Sequence, residues 1–264
     1  MDLGLKGKRA LVTGSTAGIG LAVARALAAE GAHVTVNGRT PERVVTAADA
    51  IRNELPHARI DGIAADLSDA AGCDAVIRRL PELDVLVNNM GIFEPVPFGD
   101  ITDADWMRFF ETNVLSGIRL SRHYVRGMRE RDWGRIVFVS SESALQIPAE
   151  MIHYGVTKTA QLAVARGLAE TLVGTGVTVN SVLPGPTRSE GVGGFLRDLA
   201  ASRGVDEGTV EREFFTTARP SSILQRFATP DEVAAMIVYT CSAPASATTG
   251  AALRVDGGVV RAIV

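Results

Sequence analysis

Cysteine is nearly absent from this 264-residue chain: only Cys73 and Cys241 occur, and neither has a second cysteine at metal-ligand spacing. Buried, inert thiols are therefore expected in place of a zinc site or a disulfide. The four histidines, His33, His57, His123 and His153, are equally scattered, so no metal site is expected either. No run of eighteen apolar residues occurs, and Met1 to Thr13 offers only Ala10, Leu11 and Val12, far short of a signal-peptide core. A soluble cytoplasmic protein with no membrane association is expected. A basic block is also missing, and the net charge of −3 leaves no electrostatic footprint for a phosphate backbone, which argues against nucleic acid. There is no internal repeat, low-complexity tract or linker.

What is present is ordinary globular usage, with 46% hydrophobic and 22% charged residues, enough apolar material to cover both faces of a buried sheet. Short β-branched runs alternate with longer amphipathic stretches from end to end. Strands are expected at Arg9 to Thr13, His33 to Asn37, Ile60 to Ala65, Asp84 to Asn88, Arg135 to Ser140, Val177 to Leu183 and Ala252 to Val255. Helices are expected at Ile19 to Glu30, Pro41 to Leu55, Ala70 to Leu80, Asp103 to Arg129, Met151 to Val173 and Pro230 to Cys241. Parallel strands need crossovers that pack on the sheet. This order therefore predicts an α/β fold: a Rossmann-type, doubly wound parallel sheet of about seven strands, helices on both faces, in a single domain over 1–264. The glycine-containing stretch 186–226 interrupts the alternation and reads as a pair of short helices forming a substrate lid.

Thr13-Gly-Ser-Thr-Ala-Gly-Ile-Gly20 joins the first strand to the first helix. Free amides and the helix dipole there can hold a pyrophosphate, although glycines in such a place can also make a bare turn. Tyr154-Gly-Val-Thr-Lys158 opens a helical stretch, which puts Tyr154 and Lys158 on one face, and Ser141 ends the strand before it. Singly, these features also suit a surface pair and a turn cap. Together with Asp66, Asn88-Asn-Met-Gly91, Asn113, Asn180-Ser-Val-Leu-Pro-Gly185, Thr187, Thr249-Gly250 and Val255-Asp-Gly-Gly258, in that order, the set resembles the short-chain dehydrogenase/reductase family over nearly the whole chain.

The resemblance implies an NAD(P)-dependent oxidoreductase that moves a hydride between a nicotinamide cofactor and the carbonyl or secondary alcohol of a small or medium-sized substrate. It assigns Tyr154 as general acid/base, Ser141 to the substrate oxygen, Lys158 to the nicotinamide ribose and to tyrosinate, and Asn113 to a proton-relaying water. Gly14, Ser15, Gly18, Ile19 and Gly20 would cradle the phosphates. Asp66 with Leu67 would meet the adenine, Asn89 and Gly91 the adenosine ribose, and Pro184, Gly185 and Thr187 the nicotinamide side. Asn88, Asn180 and Asp256 are expected to fix loops instead. Met90 departs from the alanine most common in the family, which alters the shape of the ribose pocket.

NADP(H) is expected over NAD(H), because the second strand ends in Gly38 and Arg39 where an acidic residue would select the ribose 2′-hydroxyl. Substrate contacts are expected from Phe93, Ser143, Met151 and Phe195, with Ile147, Pro148, Ser189 and Glu190 as further wall candidates. A homotetramer is expected from the resemblance. Two other functions are open to the same fold: a cofactor-sensing binding protein, and a dehydratase or epimerase that uses bound cofactor without net change.

Overall fold

The computed structural model describes residues 1–263, the side chain of Phe195 excepted. Seven strands, β1 (Arg9–Val12), β2 (His33–Gly38), β3 (Arg59–Ala64), β4 (Val85–Asn88), β5 (Gly134–Val139), β6 (Val177–Pro184) and β7 (Ala252–Val255), form one sheet in the order β3-β2-β1-β4-β5-β6-β7. Every neighbouring pair is parallel. All residues of β4, β5 and β6 are buried, as strands covered on both sides must be.

Alternation along the strands sorts the core into two layers. Val12, Val34, Val36, Val85 and Val87 point to one face, where α1 (Gly18–Ala29), α2 (Pro41–Glu54) and α9 (Pro230–Thr240) supply Val23, Leu27, Ile51, Val233 and Ile237. Leu11, Leu86, Ile136 and Phe138 point to the other, against Val76 of α3 (Ala70–Arg79), Leu120 and Tyr124 of α5 (Ser116–Glu130) and Ala165 of α6 (Ile152–Glu170). The chain order reverses between β1 and β4, and the crevice at the carboxyl ends of these strands is where such sheets bind ligands.

The expected elements are all present, most with ends shifted by one to three residues, and one is corrected. Asp103 to Arg129 is helical throughout but not regular: α4 (Asp103–Phe110) continues into α5 through a wide, π-type turn at Glu111–Leu115. The cause lies in the side chain of Asn113, which accepts from Ile92 N (2.8 Å) and donates to Ile92 O (3.0 Å) and to Thr157 Oγ1 (2.9 Å). Holding the strand-end loop this way pulls one turn of the helix out of regular spacing. In the stretch 186–226, α7 (Glu190–Arg203) and α8 (Glu207–Thr217) enclose a small core of their own with Leu196, Ala200, Val210, Phe215 and Phe227.

Candidate active site

A cavity of about 650 Å³ opens at the carboxyl ends of β4, β5 and β6, between the sheet and α7/α8. Its floor is made by α6. Tyr154 and Lys158 stand one turn apart on the helix face turned to the sheet, and both line the cavity. Lys158 Nζ donates to Val139 O (2.9 Å) and lies 3.5 Å from Gln161 Oε1. Ser140 Oγ anchors the helix by donating to Lys158 O (2.9 Å). Gln161 Nε2 in turn donates to Asn113 O (2.5 Å), so the π-type turn, Lys158 and the end of β5 form one network. Burial in this low-dielectric floor pulls the Lys158 pKa down to about 8, although the Glu142 carboxylate pushes the other way.

At the start of α1, Gly14 (φ +58°) and Gly18 (φ +55°) adopt left-handed conformations that other residues resist. A Cβ on Gly20 would come within 2.5 Å of both Gly14 O and Asn89 Nδ2, so the turn folds only around glycine there. Thr13 Oγ1 accepts from Asn89 N (2.9 Å) and Met90 N (3.0 Å), and Asn89 Nδ2 donates back to Thr13 O and Gly14 O (3.0 Å each). The helix itself has no side-chain cap and no acidic residue in its first turn, which leaves its leading amides to an anion. These residues fit a dinucleotide phosphate.

The family model of the short chain dehydrogenases matches residues 8–198. The chain belongs to that family. It is 46% identical over 263 residues to the uncharacterized oxidoreductase YvaG of Bacillus subtilis, covering all of both chains. It is 34% identical to a D-beta-hydroxybutyrate dehydrogenase of Cupriavidus necator, over 97% of this chain and 99% of that one. The structure of L-sorbose reductase from Gluconobacter frateurii, complexed with NADPH and L-sorbose, superposes with a TM-score of 0.93 over the full length of both chains at 32% identity. This short chain dehydrogenase is thus an NAD(P)-dependent oxidoreductase that transfers hydride at carbonyl or alcohol carbons.

In the dehydrogenase the pKa of the Tyr154 phenol is raised, first by burial and next by the nearby carboxylate of Glu142, with Ser141 and Arg219 opposing. Lys158 Nζ is 5.6 Å from the centre of the Tyr154 ring, and its charge is itself depressed by burial. Sequence spacing gave the neighbour but not the shared desolvation. The protonated phenol suits proton donation to a carbonyl oxygen.

Of the expected site residues, Ile19, Asn89, Gly91, Phe93, Ser141, Ser143, Met151, Pro184, Gly185, Thr187 and Ser189 join Tyr154 and Lys158 around the cavity. Phe93 meets the Tyr154 ring edge-on at 6.3 Å. Asn113 sits behind the floor, and Arg39 and Asp66 are exposed at the ends of β2 and β3. The Ser15 hydroxyl is turned inward, donating to Val12 O (2.7 Å) and accepting from Asn37 N (2.9 Å), and its amide donates to Asn37 O (2.8 Å), so Ser15 ties the turn to β2 and leaves the phosphate to the amides that follow it. Leu67 is fully buried in the core around Cys73, so its side chain faces the interior and leaves only its backbone for a ligand.

Ile147, Pro148 and Glu190 are not among the lining residues. Ile147 packs over Gly155, and Glu190 pairs with Arg43 (3.4 Å). The Phe195 side chain lies outside the described residues. Asn88 donates to Ser121 Oγ (3.1 Å), Asn180 to Thr248 O (2.8 Å), and Asp256 accepts from Gly258 N and Val260 N (3.0 Å each), all bonds within the scaffold. Cys73 and Cys241 are buried and free. Among the described residues, no group of His, Cys, Asp and Glu could hold a metal ion.

Sequence reasoning missed Glu142, Glu150 and Arg219. Ser141 Oγ donates to Glu142 Oε2 (2.6 Å) and accepts from Ser143 N (3.1 Å), while Glu142 Oε1 accepts from Arg219 Nε (3.1 Å). An acid directly after Ser141 was a usable signal. Nothing in the sequence ties Arg219 to it.

Proposed function

We propose that Tyr154 is the general acid/base of the hydride transfer, with Ser141, Lys158 and Asn113 as its supporting groups and NADP(H) as the preferred cofactor. The observation that carries this is the placement of Tyr154 and Lys158 on one face of α6 at the cavity floor, tied to Asn113 through Gln161. The bound nicotinamide supplies or accepts the hydride at the substrate carbon. In reduction, Tyr154 gives its proton to the substrate oxygen as charge develops there, and the Ser141 hydroxyl turns from Glu142 Oε2 to donate to the same oxygen. The ammonium of Lys158 offsets the tyrosinate that results and passes a proton back to it, and Asn113 holds the relaying water. Oxidation of an alcohol runs the same steps in reverse.

Gly14, Gly18 and Gly20 hold the phosphates with the backbone of Ile19, while Ser15, whose amide donates to Asn37 O, holds the turn in shape; Asp66 takes the adenine, Asn89 and Gly91 the ribose, and Thr187 with Pro184 and Gly185 the nicotinamide. The NADP(H) preference is supported by Arg39, which is exposed and has no ion pair or hydrogen bond among the described residues. It is also supported by Gly38, where a Cβ would come within 2.4 Å of Thr16 Cγ2, so the acid that would select NAD(H) fits there only if Thr16 shifts. Phe93, Ser143 and Met151 hold the substrate, under a lid formed by 186–226 within a single domain.

A homotetramer belongs to the same proposal, with α5 and α6 at one two-fold contact and β7 at another. The position of β7 at the sheet edge, where its hydrogen-bonding groups lack a neighbour, supports it. A cytoplasmic location is part of the same proposal, supported by the two buried free thiols. No helix among the described residues is long and apolar enough to cross a membrane.

Tyr154→Phe keeps the ring and removes the transferable proton. Single-turnover hydride transfer is expected to fall at least about a hundredfold with cofactor affinity unchanged. Turnover within a few fold of wild type would show that another group carries the proton.

A further inference from the structure

The wall of the cavity is apolar for most of its extent, with Phe93, Met151, Val192, Leu196, Phe214 and Phe227. Against this background Glu142 and Arg219 stand out: their side chains are 7% and 10% exposed, and they pair with each other at 3.1 Å. Arg219 Nη1 reaches Glu150 Oε1 (3.2 Å) nearer the mouth and Ala218 O (2.8 Å). Its remaining nitrogen, Nη2, has no partner among the described residues. Arg203 and Glu213 also reach the lining, but they are half exposed and satisfy each other at 2.6 Å.

Withdrawing the Glu142 and Arg219 charges from water, with Glu150 half exposed at the far end of the row, is poorly explained by stability, since a well-packed apolar group often replaces a buried ion pair without loss. A few placed polar groups in an apolar pocket are what orientation and selection of a ligand require. The row runs carboxylate, guanidinium, carboxylate, so it presents acceptors and donors in alternation. Its net charge is negative, which opposes a substrate carboxylate. A hydroxyl both donates to Glu142 or Glu150 and accepts from Arg219 Nη2 through a single oxygen, which suits the close spacing of the row. Because Glu142 Oε2 lies 2.6 Å from Ser141 Oγ, a hydroxyl held there sits close to the reacting oxygen.

Resting on the reading of Ser141 and Tyr154 given above, we propose that Glu142, Arg219 and Glu150 are specificity-determining residues. They select an uncharged, polyhydroxylated ketone or the corresponding polyol, with a hydroxyl next to the reacting carbon. A site built to hydrogen-bond a hydroxyl discriminates strongly against analogues that lack it, because its own buried groups are then left unpaired.

The test compares NADPH-dependent reduction of a six-carbon ketose, hexan-2-one and 3-oxohexanoate by the wild-type enzyme and by Glu142→Gln, Arg219→Gln and Arg219→Lys. Wild type is expected to favour the ketose over hexan-2-one by about a hundredfold or more in kcat/KM, and to disfavour the oxoacid. In Glu142→Gln and Arg219→Gln that ketose preference should fall at least tenfold, mostly through KM, while the cofactor Kd holds; Arg219→Lys should recover part of it. A wild-type preference for hexan-2-one or the oxoacid would overturn the inference and leave the hydride-transfer reading standing. Equal losses on all three substrates in the variants would also overturn it, since Glu142 would then act only by positioning Ser141. No turnover of any of the three would count against both readings.

Discussion

Replacing Lys158 by methionine should destroy activity and make the protein more stable. Lys158 is 5% exposed, with its pKa held at about 8 against an ordinary 10.5. At neutral pH this depression corresponds to roughly 3 kcal/mol by which the buried charge opposes folding. Methionine removes that penalty and fills a similar volume, but it gives up the hydrogen bond from Nζ to Val139 O and leaves the carbonyl unpaired, at about 1–2 kcal/mol. The net expectation is a gain of about 1–2 kcal/mol, or roughly 3–6 °C in Tm for a chain of this size. The sign with pH follows from proton counting. Between about 8 and 10.5 the unfolded chain binds a proton at this lysine that the folded chain does not, so wild-type stability rises across that window. The advantage of Lys158→Met should therefore be full below about 8 and fade as the pH approaches 10.5. Urea unfolding of both cofactor-free proteins at several pH values measures this. A methionine variant that is less stable at pH 7, or whose advantage is the same at pH 7 and 10, would refute the argument.

Three further outcomes follow from the same geometry. Gly20→Ala forces a Cβ to 2.5 Å from Gly14 O and Asn89 Nδ2; cofactor affinity, read by fluorescence titration, should drop by at least tenfold, and a near-normal Kd would contradict the cradle. Arg39→Asp should raise the KM for NADPH by about tenfold or more, the scale of one charge-assisted contact, and lower the KM for NADH; equal effects on both would remove Arg39 from cofactor selection. The reductive kcat/KM should be level at neutral pH and decline once the pH passes about 8, because the charge on Lys158 that offsets the forming tyrosinate is then lost. A rate unchanged up to pH 10 would mean that this charge plays no part.

The sequence by itself determined the sheet, the order of its elements and the floor of the site. Those features are local: alternating β-branched runs such as Arg135 to Val139 mark strands, a glycine cluster marks the turn at Gly14 to Gly20, and a four-residue spacing puts Tyr154 and Lys158 on one helix face. Tertiary structure decided what depends on neighbours distant in sequence. The π-type turn at Glu111–Leu115 arises because Asn113 spends its amide on Ile92 and Thr157, and no helical periodicity records that exchange. The raised pKa of Tyr154 comes from burial and from Glu142, so its direction could not be read from the Lys158 spacing. Arg219 reaches Glu142 only because the segment after α8 folds back over the cavity; a long-range ion pair leaves no pattern along the chain, and it is this pair that gives the apolar pocket its polar wall.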